Sequence, residues 1–484
     1  MALLIKNAFI IDGTGRDFFR GDILAKKNKI LAVGDIPNYQ AEEIIDASSC
    51  FASPGFIDPD SSSDFSNSIF FDRFQKNYLK QGVSSIILGH GGVSLAPIFG
   101  FPEHLVGNQI GEKLNFNWRS FYDFSFSLSK IKFGVNIASL FGEINIRDSI
   151  TDTFEERDLT ENEMKVFKKI LENSLKEGAL GISFGFGFSY SLTTPPVEIA
   201  AAAKSAFQKN AVVSVRVKED RFETKKKFLN LLLQEKRKMR SGMLFLSQAE
   251  VEDFKWLKRS NSLKEISASF HPSGFSLVPL VSLISSLIKR ESVEKLSFSL
   301  SPSEVQEEIK KKISEEKWLE KAVIIIAKDK SLEGKTLKDI SRSRKEPLAL
   351  CLINLAERCN FNITFSHSSN LIDGDFSFFK EKGMLVSSFG NFKESSSSFP
   401  YFLKTATSSK ENWLIEKAVE KITKIPADLF GFKDRGVIKE GKIADISLFD
   451  KNFEIKSVIV GGKKSYSEGI FYDSLGGSFY GNHS

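Results

Sequence analysis

Short apolar strands alternate with helical stretches through the middle of the chain. Helices are predicted between several of these strands, for example over 163–177 and 197–209. Such alternation favours a parallel sheet covered by helices. Nine strand candidates fit the eight strands of a (β/α)8 barrel with one left over. The candidates are 55–58, 84–88, 135–140, 179–183, 212–217, 243–246, 266–270, 363–366 and 384–387.

Both ends of the chain are rich in predicted β-structure. Two apolar runs flank a polar turn over 22–33, which predicts a hairpin. The same pattern recurs over 436–449, with Glu440-Gly441 as its turn, and a further strand is predicted over 455–460. Because these β-rich ends enclose the alternating middle, we expect both termini to build one small sheet. A charged segment at about 291–343 interrupts the alternation and indicates an insertion.

Charge and hydropathy exclude several classes of partner. Lys+Arg 67 against Asp+Glu 61 leaves a net charge of +6 over 484 residues, too little for a nucleic-acid-binding protein. The longest apolar stretch, near 275–288, contains four serines, so no membrane span is expected. The first ten residues lack the apolar core of a signal peptide. The three cysteines form no Cys-x-x-Cys pair, which favours free thiols and a cytoplasmic location.

Histidine content limits the metal chemistry open to this chain. It has five histidines, His90, His104, His271, His367 and His483, and no two are spaced i, i+2 or i, i+4. A zinc site normally uses three or four His, Cys or carboxylate ligands. No local motif therefore predicts a histidine-rich metal centre.

Three local motifs at strand ends have both functional and structural interpretations. Gly181-Ile-Ser183-Phe-Gly185 matches a nucleophile elbow but lacks the following helix, which favours a glycine-lined strand end. Gly89-His90-Gly91-Gly92 could cradle an anion, but a tight turn fits better because no P-loop lysine follows. Asp58, Asp60 and Asp64 offer oxygen ligands for a hard cation, yet their spacing is typical of Asp-rich turns as well.

Longer motifs in a fixed order show that the chain resembles a known family. They are Leu4–Gly15, Ser53–Asp58, Gln81-Gly-Val, Ser94–Pro97, Glu177–Ser183, Leu332–Leu337, Ile425–Gly436, Lys442–Asp445 and Phe449-Asp450. The chain resembles the N-acyl-D-amino-acid deacylases, or D-aminoacylases, of the amidohydrolase superfamily. The resemblance covers nearly the whole chain.

The resemblance implies an α/β fold class and a division into domains. We expect a (β/α)8 TIM barrel over 54–430 that carries a small inserted domain at about 291–343. A small β-sandwich built from both termini would comprise 1–53 and 431–484. These expectations agree with the alternation and with the β-rich ends.

The family's chemistry requires a zinc-activated water and an Asp that handles the proton. The positions that match its metal ligands carry Asp60, Ser62, Gly91, Arg216 and Gln248 here. A further family histidine falls on Glu143, the arginine of one strand falls on Lys218, and the catalytic Asp falls on Phe389. A later His-Pro-Arg of the family falls near 392–394. His90 directly precedes Gly91.

These replacements predict a site without its metal. Ser, Gly, Gln and Phe are poor or null zinc ligands, and the permanent cation of Arg216 repels Zn²⁺. We therefore expect no cofactor and no intact catalytic group. Arg216 and Asp60 are expected to form an ion pair in the emptied cavity, or Arg216 to hold a ligand carboxylate. Lys218, His90 and Glu143 are further candidates for ligand or anion binding.

The sequence thus predicts a degenerate, metal-free amidohydrolase with impaired catalysis. Its partner would be a small anionic or N-acyl-amino-acid-like ligand, with the oligomeric state open. The alternative is an active metal-dependent hydrolase of N-acyl amino acids or related amides, with a site rebuilt from Asp60, His90, Glu143 and Asp64. A metal-free hydrolase with Ser183 as nucleophile is a third possibility.

Overall fold

The structure is a computed structural model with mixed α/β architecture. It describes residues 2–64, 68–99, 118–151, 157–186, 194–217, 222–280, 317–327, 329–359, 363–368, 376–390, 397–408 and 410–481, together with residues 303, 307, 310, 311 and 315. His104, Lys218, His483, residues 392–394 and the start of the predicted insertion lie outside the described residues.

Strands and helices alternate through the middle of the described chain as predicted. The strands are β1 Ala2–Ile10, β2 Phe19–Lys26, β3 Lys29–Gly34, β4 Glu43–Asp46, β5 Phe51–Pro54, β6 Phe56–Asp58, β7 Val83–Leu88, β8 Asn136–Ser139, β9 Phe141–Gly142, β10 Gly181–Phe186, β11 Val212–Val217, β12 Met243–Leu246, β13 Ile266–Phe270, β14 Phe275–Pro279, β15 Val323–Ala327, β16 Ile363–Ser368, β17 Met384–Val386, β18 Ile446–Phe449, β19 Ile455–Val460, β20 Lys463–Ser467 and β21 Ile470–Phe471. The α-helices are Ser68–Phe71, Lys76–Leu79, Phe121–Lys130, Glu143–Ile150, Glu161–Lys176, Pro196–Gln208, Phe222–Met239, Val251–Arg259, Leu337–Arg344, Leu348–Arg358, Ser398–Ala406, Ile415–Ile422 and Lys424–Leu429.

Two parallel sheets form the barrel-type part of the fold. One has the order β6-β7-β8 and the other the order β17-β13-β12-β11-β10-β9. Their strands are almost wholly buried, as the continuous apolar run of β7 predicts for a parallel sheet covered by helices. Eight of the nine strand candidates are confirmed in these two sheets. All three cysteines are free and buried.

The ninth strand candidate belongs to a different sheet. Residues 363–366 were expected as a possible barrel strand, but they lie in β16, which pairs antiparallel with β14 and β15. A buried antiparallel strand has the same apolar composition as a buried parallel one, so the sequence did not separate them. We call β14, β15 and β16 the inserted sheet. Together with two helices it encloses its own apolar core, which includes Leu280, Leu355 and Phe365.

The termini jointly form a nine-stranded sheet, as expected. Strands β1 to β5 join β18 to β21 through the antiparallel pairing of β5 with β18. The predicted hairpin over 22–33 is confirmed as β2 and β3. The predicted hairpin over 436–449 is wrong in its first arm: Glu440 and Gly441 form a turn, but only β18 follows as a strand.

The base of the barrel interior is apolar. Side chains of the parallel strands and their flanking residues pack there against the aromatic residues that follow the helix Lys424–Leu429. The members include Ile57, Ile87, Leu140, Val212, Met243, Phe245, Leu385, Phe430 and Phe432. Further polar side chains lie toward the carboxyl ends of the strands, where sites of such barrels lie.

A buried polar network joins the terminal sheet to the barrel. The Asp445 carboxylate accepts from Arg435 Nη1 at 3.0 Å, from the Gly461 N–H at 2.8 Å and from Asn136 Nδ2 on β8 at 2.9 Å. The charged side chains of Arg435 and Asp445 are each 4% exposed. Arg435 also lies over the ring of Tyr480, 4.0 Å from its centroid.

We expect Asp445→Ala to destabilise the fold by about 3–5 kcal/mol, because removal of one partner leaves the other charge buried and unpaired. Urea unfolding followed by circular dichroism measures this loss. The matched control is Asp473→Ala, since the Arg73–Asp473 pair has the same chemistry at 57% and 80% exposure. That control should lose less than about 1 kcal/mol. Equal losses in the two variants would contradict the assigned role of Asp445.

Candidate functional site

Polar side chains gather at the carboxyl ends of the parallel strands. Asp58 ends β6, and His90 lies two residues beyond β7. Five neighbouring strands each carry a buried serine, near the middle of the strand in β10 and β11 and near or just beyond the carboxyl end in β12, β13 and β17. These serines are Ser183, Ser214, Ser247, Ser269 and Ser387, each at most 1% exposed. The gathering places two carboxylates, an imidazole and several hydroxyls at one end of the barrel.

Asp58 is fully buried and accepts four hydrogen bonds. Its Oδ1 accepts from the Ser387 hydroxyl at 2.5 Å and from the Asp60 N–H at 3.1 Å. Its Oδ2 accepts from the hydroxyl and the N–H of Ser388 at 2.5 and 3.0 Å. Burial raises the pKa of Asp58 to about 6, against the opposing effect of these hydrogen bonds. Asp58 therefore links the first parallel strand to the residues after the last one.

Asp60 is also buried, and its two carboxylate oxygens differ. Oδ2 accepts from the Gln248 N–H at 2.9 Å and from the hydroxyl of Ser269 by a short hydrogen bond. No described residue provides a hydrogen-bond partner for Oδ1, which is itself buried. Asp60 thus connects β6 to the ends of β12 and β13 through uncharged donors.

His90 faces Asp60 across a short gap. Its Nδ1 lies 4.0 Å from Asp60 Oδ1, beyond hydrogen-bond distance, and 2.9 Å from Ser214 Oγ. Within the described part of the chain, its Nε2 is buried and has no hydrogen-bond partner. Burial lowers the pKa of His90, and the charge of Arg216 lowers it further, although the Asp60 carboxylate raises it. The imidazole is therefore neutral near pH 7.

Arg216 lies on β11 and is directed toward the inserted sheet. Its Nη2 donates to the backbone oxygen of Leu277 on β14 at 3.1 Å. The expected ion pair with Asp60 is not formed, because Asp60 Oδ2 is bonded to Gln248 and Ser269 while Oδ1 has no partner among the described residues. The acceptor of this hydrogen bond is a backbone carbonyl of the inserted sheet, and the contact had no signal in the sequence.

Gln248 and Phe389 hold unusual backbone conformations at two strand ends. Their φ angles are +51° and +59°, in the left-handed region that non-glycine residues rarely adopt. Gln248 uses its backbone N–H, rather than its amide side chain, to reach Asp60. The Phe389 side chain is 2% exposed and packs against Leu277 and Ile325 of the inserted sheet.

Of the other candidate ligands, the two carboxylates accept hydrogen bonds from neighbouring groups, and the other two residues carry no carboxylate, imidazole or thiol. Glu143 begins the helix Glu143–Ile150 and its Oε1 accepts from the Thr194 hydroxyl at 3.1 Å. Asp64 Oδ2 accepts from the Gly89 N–H at 2.8 Å. Ser62 is buried, and Gly91 lies in the turn after β7 with φ +80°.

The remaining two motifs have structural roles in the described chain. Ser183 is fully buried, and its Oγ accepts from the Gly92 N–H at 3.1 Å. A Cβ on Gly92 would lie 2.5 Å from the nitrogen of Gly185, so the turn after β7 packs directly on β10. These contacts favour the glycine-lined strand end over the nucleophile elbow.

The described residues do not fit a zinc ion. No group of three or more His, Cys, Asp and Glu side chains among them is arranged to hold a metal. Asp60 and His90 lie near each other, but a zinc site requires three or four ligands. The rebuilt set of Asp60, His90, Glu143 and Asp64 therefore does not assemble in the described structure.

Several residues of the site were missed in the sequence. Ser214, Ser269, Ser387 and Ser388 form hydrogen bonds with His90, Asp60 and Asp58, yet serine is common and has no characteristic spacing. His271 follows β13, and its Nε2 pairs with the Ser398 hydroxyl at 2.8 Å. Burial lowers the pKa of His271 to about 3, so this ring stays neutral. The one available signal was a serine near the middle or the carboxyl end of each of five neighbouring parallel strands.

A family model of known proteins matches part of the chain. Residues 373–464 match the model described as "Amidohydrolase family". This segment includes β17, the helices that follow it and the start of the carboxyl-terminal strands.

Curated relatives share sequence with about two fifths of the chain. A D-aminoacylase of Alcaligenes xylosoxydans xylosoxydans is 27% identical over 183 residues, which cover 38% of this chain and 37% of that protein. An N-acyl-D-aspartate deacylase of the same organism is 28% identical over 198 residues, with coverage of 40% and 39%. The chain therefore matches less than two thirds of the length of these relatives.

Solved structures share the fold over almost the full length. A crystal structure of D-aminoacylase matches with a TM-score of 0.76 at 20% identity and covers 99% of both chains. An N-acyl-D-glutamate deacylase from Bordetella bronchiseptica, complexed with zinc and a phosphonate inhibitor, matches with a TM-score of 0.77 at 20% identity and the same coverage. The amidohydrolase fold class expected from the sequence is confirmed at this level.

Asp58→Asn should destabilise the protein by about 2–4 kcal/mol, because one carboxylate oxygen becomes an amide that faces hydrogen-bond donors in a buried site. Chemical unfolding at pH 7.5 measures the change. Asp17→Asn, at an exposed position, is the control and should change stability by less than about 0.5 kcal/mol. If Asp58→Asn were as stable as the wild type, the four hydrogen bonds to Asp58 would not be structural.

Proposed function

We propose that this chain, a relative of the D-aminoacylases among the amidohydrolases, retains the family's fold without its metal-dependent hydrolysis. It would act as a binding protein. Its site at the carboxyl ends of the parallel strands, which contains Asp58, Asp60 and His90 and which we call the strand-end site, would not activate water. The observation that carries this proposal is the state of the two carboxylates, Asp58 and Asp60, whose hydrogen-bonded oxygens accept from serine hydroxyls and backbone N–H groups.

The atoms still available to a metal are few and enclosed. Asp60 Oδ1 and His90 Nε2 have no partner among the described residues, but both atoms are buried. The positive charge of Arg216 acts on His90 and would also oppose a divalent cation. Two ligands with a nearby fixed cation are a poor zinc site.

The residue expected to transfer the proton is also replaced by one that cannot do so. Phe389 occupies the position that the resemblance gives to the catalytic Asp, and its ring is packed in an apolar cluster. A phenyl ring neither accepts nor donates a proton, so general acid–base catalysis at this position is lost. This supports impaired hydrolysis independently of the metal.

We further propose that the barrel closes between β17 and β6. Ser387 and Ser388 follow β17, and their hydrogen bonds to Asp58 at the end of β6 support this closure. The domain boundaries at 53, 430 and about 291–343 stay predictions of the sequence. So do the cytoplasmic location and the small anionic or N-acyl-amino-acid-like ligand. Among the described residues, no helix combines the length and apolarity that crossing a bilayer would need.

Purified protein, dialysed against a mild chelator and then against buffer with zinc, should retain well below one zinc per chain by plasma mass spectrometry. The same sample should not hydrolyse N-acetyl-D-amino acids. A characterised D-aminoacylase, treated in parallel, is the control for both measurements.

Stoichiometric zinc together with deacylation would overturn the proposal and support the rebuilt hydrolase. Hydrolysis without zinc would overturn it in favour of a metal-free mechanism. Ligand screening by thermal shift then tests the binding role, with Arg216→Ala as the variant expected to lose the shift caused by a carboxylate ligand.

A further inference from the structure

We infer that the inserted sheet is a fixed wall of the strand-end site rather than a cover that opens, and that Phe389 and Arg216 fasten it there. These two residues stand where the resemblance places a catalytic and a metal-binding group. In this chain both contact the same strand of the inserted sheet. The inference concerns access to the site and does not depend on whether the protein hydrolyses a substrate.

The first fastening contact is apolar. Phe389 packs in one cluster with Leu277 of β14 and Ile325 of β15, and their exposures are 2%, 4% and 7%. Val323 of β15 lies against the same cluster. Burial of an aromatic ring between two structural units stabilises their contact. Opening the sheet would expose this cluster to water.

The second fastening contact is polar and involves the same residue of β14. The guanidinium of Arg216 donates to the Leu277 backbone oxygen at 3.1 Å. Leu277 therefore contacts one barrel strand end through its carbonyl and another through its side chain. Two contacts of different chemistry on one residue fix both the distance and the orientation of β14.

The backbone at Phe389 supports a fixed position. Its φ of +59° is unfavourable for a residue with a side chain. Such a conformation persists where surrounding packing determines it, and here the ring is enclosed by the inserted sheet and by His271, 5.7 Å between ring centroids. The joint formed by Phe389, Arg216, Leu277 and Ile325 thus holds β14 and β15 against the strand ends in the native state.

A thiol placed at the strand ends can report on access. Ser247 follows β12 and is 1% exposed. Its hydroxyl forms no hydrogen bond with a described residue, so Ser247→Cys removes none of the hydrogen bonds described above. Ser247 lies two residues after Phe245, whose ring faces His90, so its side chain shares the inward face of the strand. The three native cysteines are buried, and the wild type therefore gives a low background.

The experiment compares the rates at which a maleimide reagent labels four variants of the full chain. These are Ser247→Cys alone, Ser247→Cys with Phe389→Gly, Ser247→Cys with Phe402→Ala, and the exposed Asp473→Cys. Phe389→Gly removes the ring and relieves the positive φ, which limits its effect on global stability. Phe402 is a fully buried ring outside the joint and controls for general loss of packing.

A fixed wall predicts that Ser247→Cys is labelled more slowly than the exposed Asp473→Cys in the folded protein. Phe389→Gly should accelerate labelling by about tenfold or more while circular dichroism still shows folded protein. Phe402→Ala should not do so under the same conditions. Should Phe389→Gly fail to fold, Leu277→Ala removes the facing side of the joint and replaces it in the comparison.

Two results would overturn the inference. Labelling of Ser247→Cys alone at the rate of Asp473→Cys would show that the sheet opens freely. Equal rates for the Phe389→Gly and Phe402→Ala backgrounds would show that Phe389 does not fasten it. Neither result bears on zinc content, so failure of this inference and failure of the proposed function are distinguishable.

Discussion

Two carboxylates, Asp58 and Asp60, lie buried inside the barrel and are hydrogen-bonded mainly by uncharged groups. A buried ion costs several kcal/mol unless donors replace the lost water. Those donors come from Ser387 and Ser388 after β17, from Gln248 after β12 and from Ser269 on β13. The strand ends must therefore stay in register for the carboxylates to remain satisfied, and the site and the barrel stabilise each other.

The same hydrogen bonds support the proposal that the site does not hold a catalytic metal. Oxygens that accept from serines and backbone N–H groups are not available as ligands without the loss of those bonds. Two buried atoms of the site, Asp60 Oδ1 and His90 Nε2, have no hydrogen-bond partner among the described residues. The positive charge of Arg216 acts on His90. Phe389 and Arg216, at positions that the resemblance gives to catalytic and metal-binding groups, contact the inserted sheet.

The sequence predicted the parallel strands well because their continuous apolar runs and the helices between them are local features. The predictions from the sequence failed for residues whose contacts are with residues far away along the chain. Residues 363–366 have the composition of a barrel strand but pair in the inserted sheet. Arg216 was expected to pair with Asp60, since charge complementarity is visible in a sequence while the Leu277 carbonyl is not. The serines were missed because a hydroxyl acquires its role only from what the fold places beside it.

The most direct measurement of the central claim is anomalous scattering at the zinc edge from crystals grown with excess zinc. The account predicts no anomalous peak at the strand ends, with Asp60 Oδ2 still bonded to the Gln248 N–H. A peak about 2.0–2.2 Å from both Asp60 Oδ1 and His90 Nε2 would contradict it, because that geometry is bonded zinc.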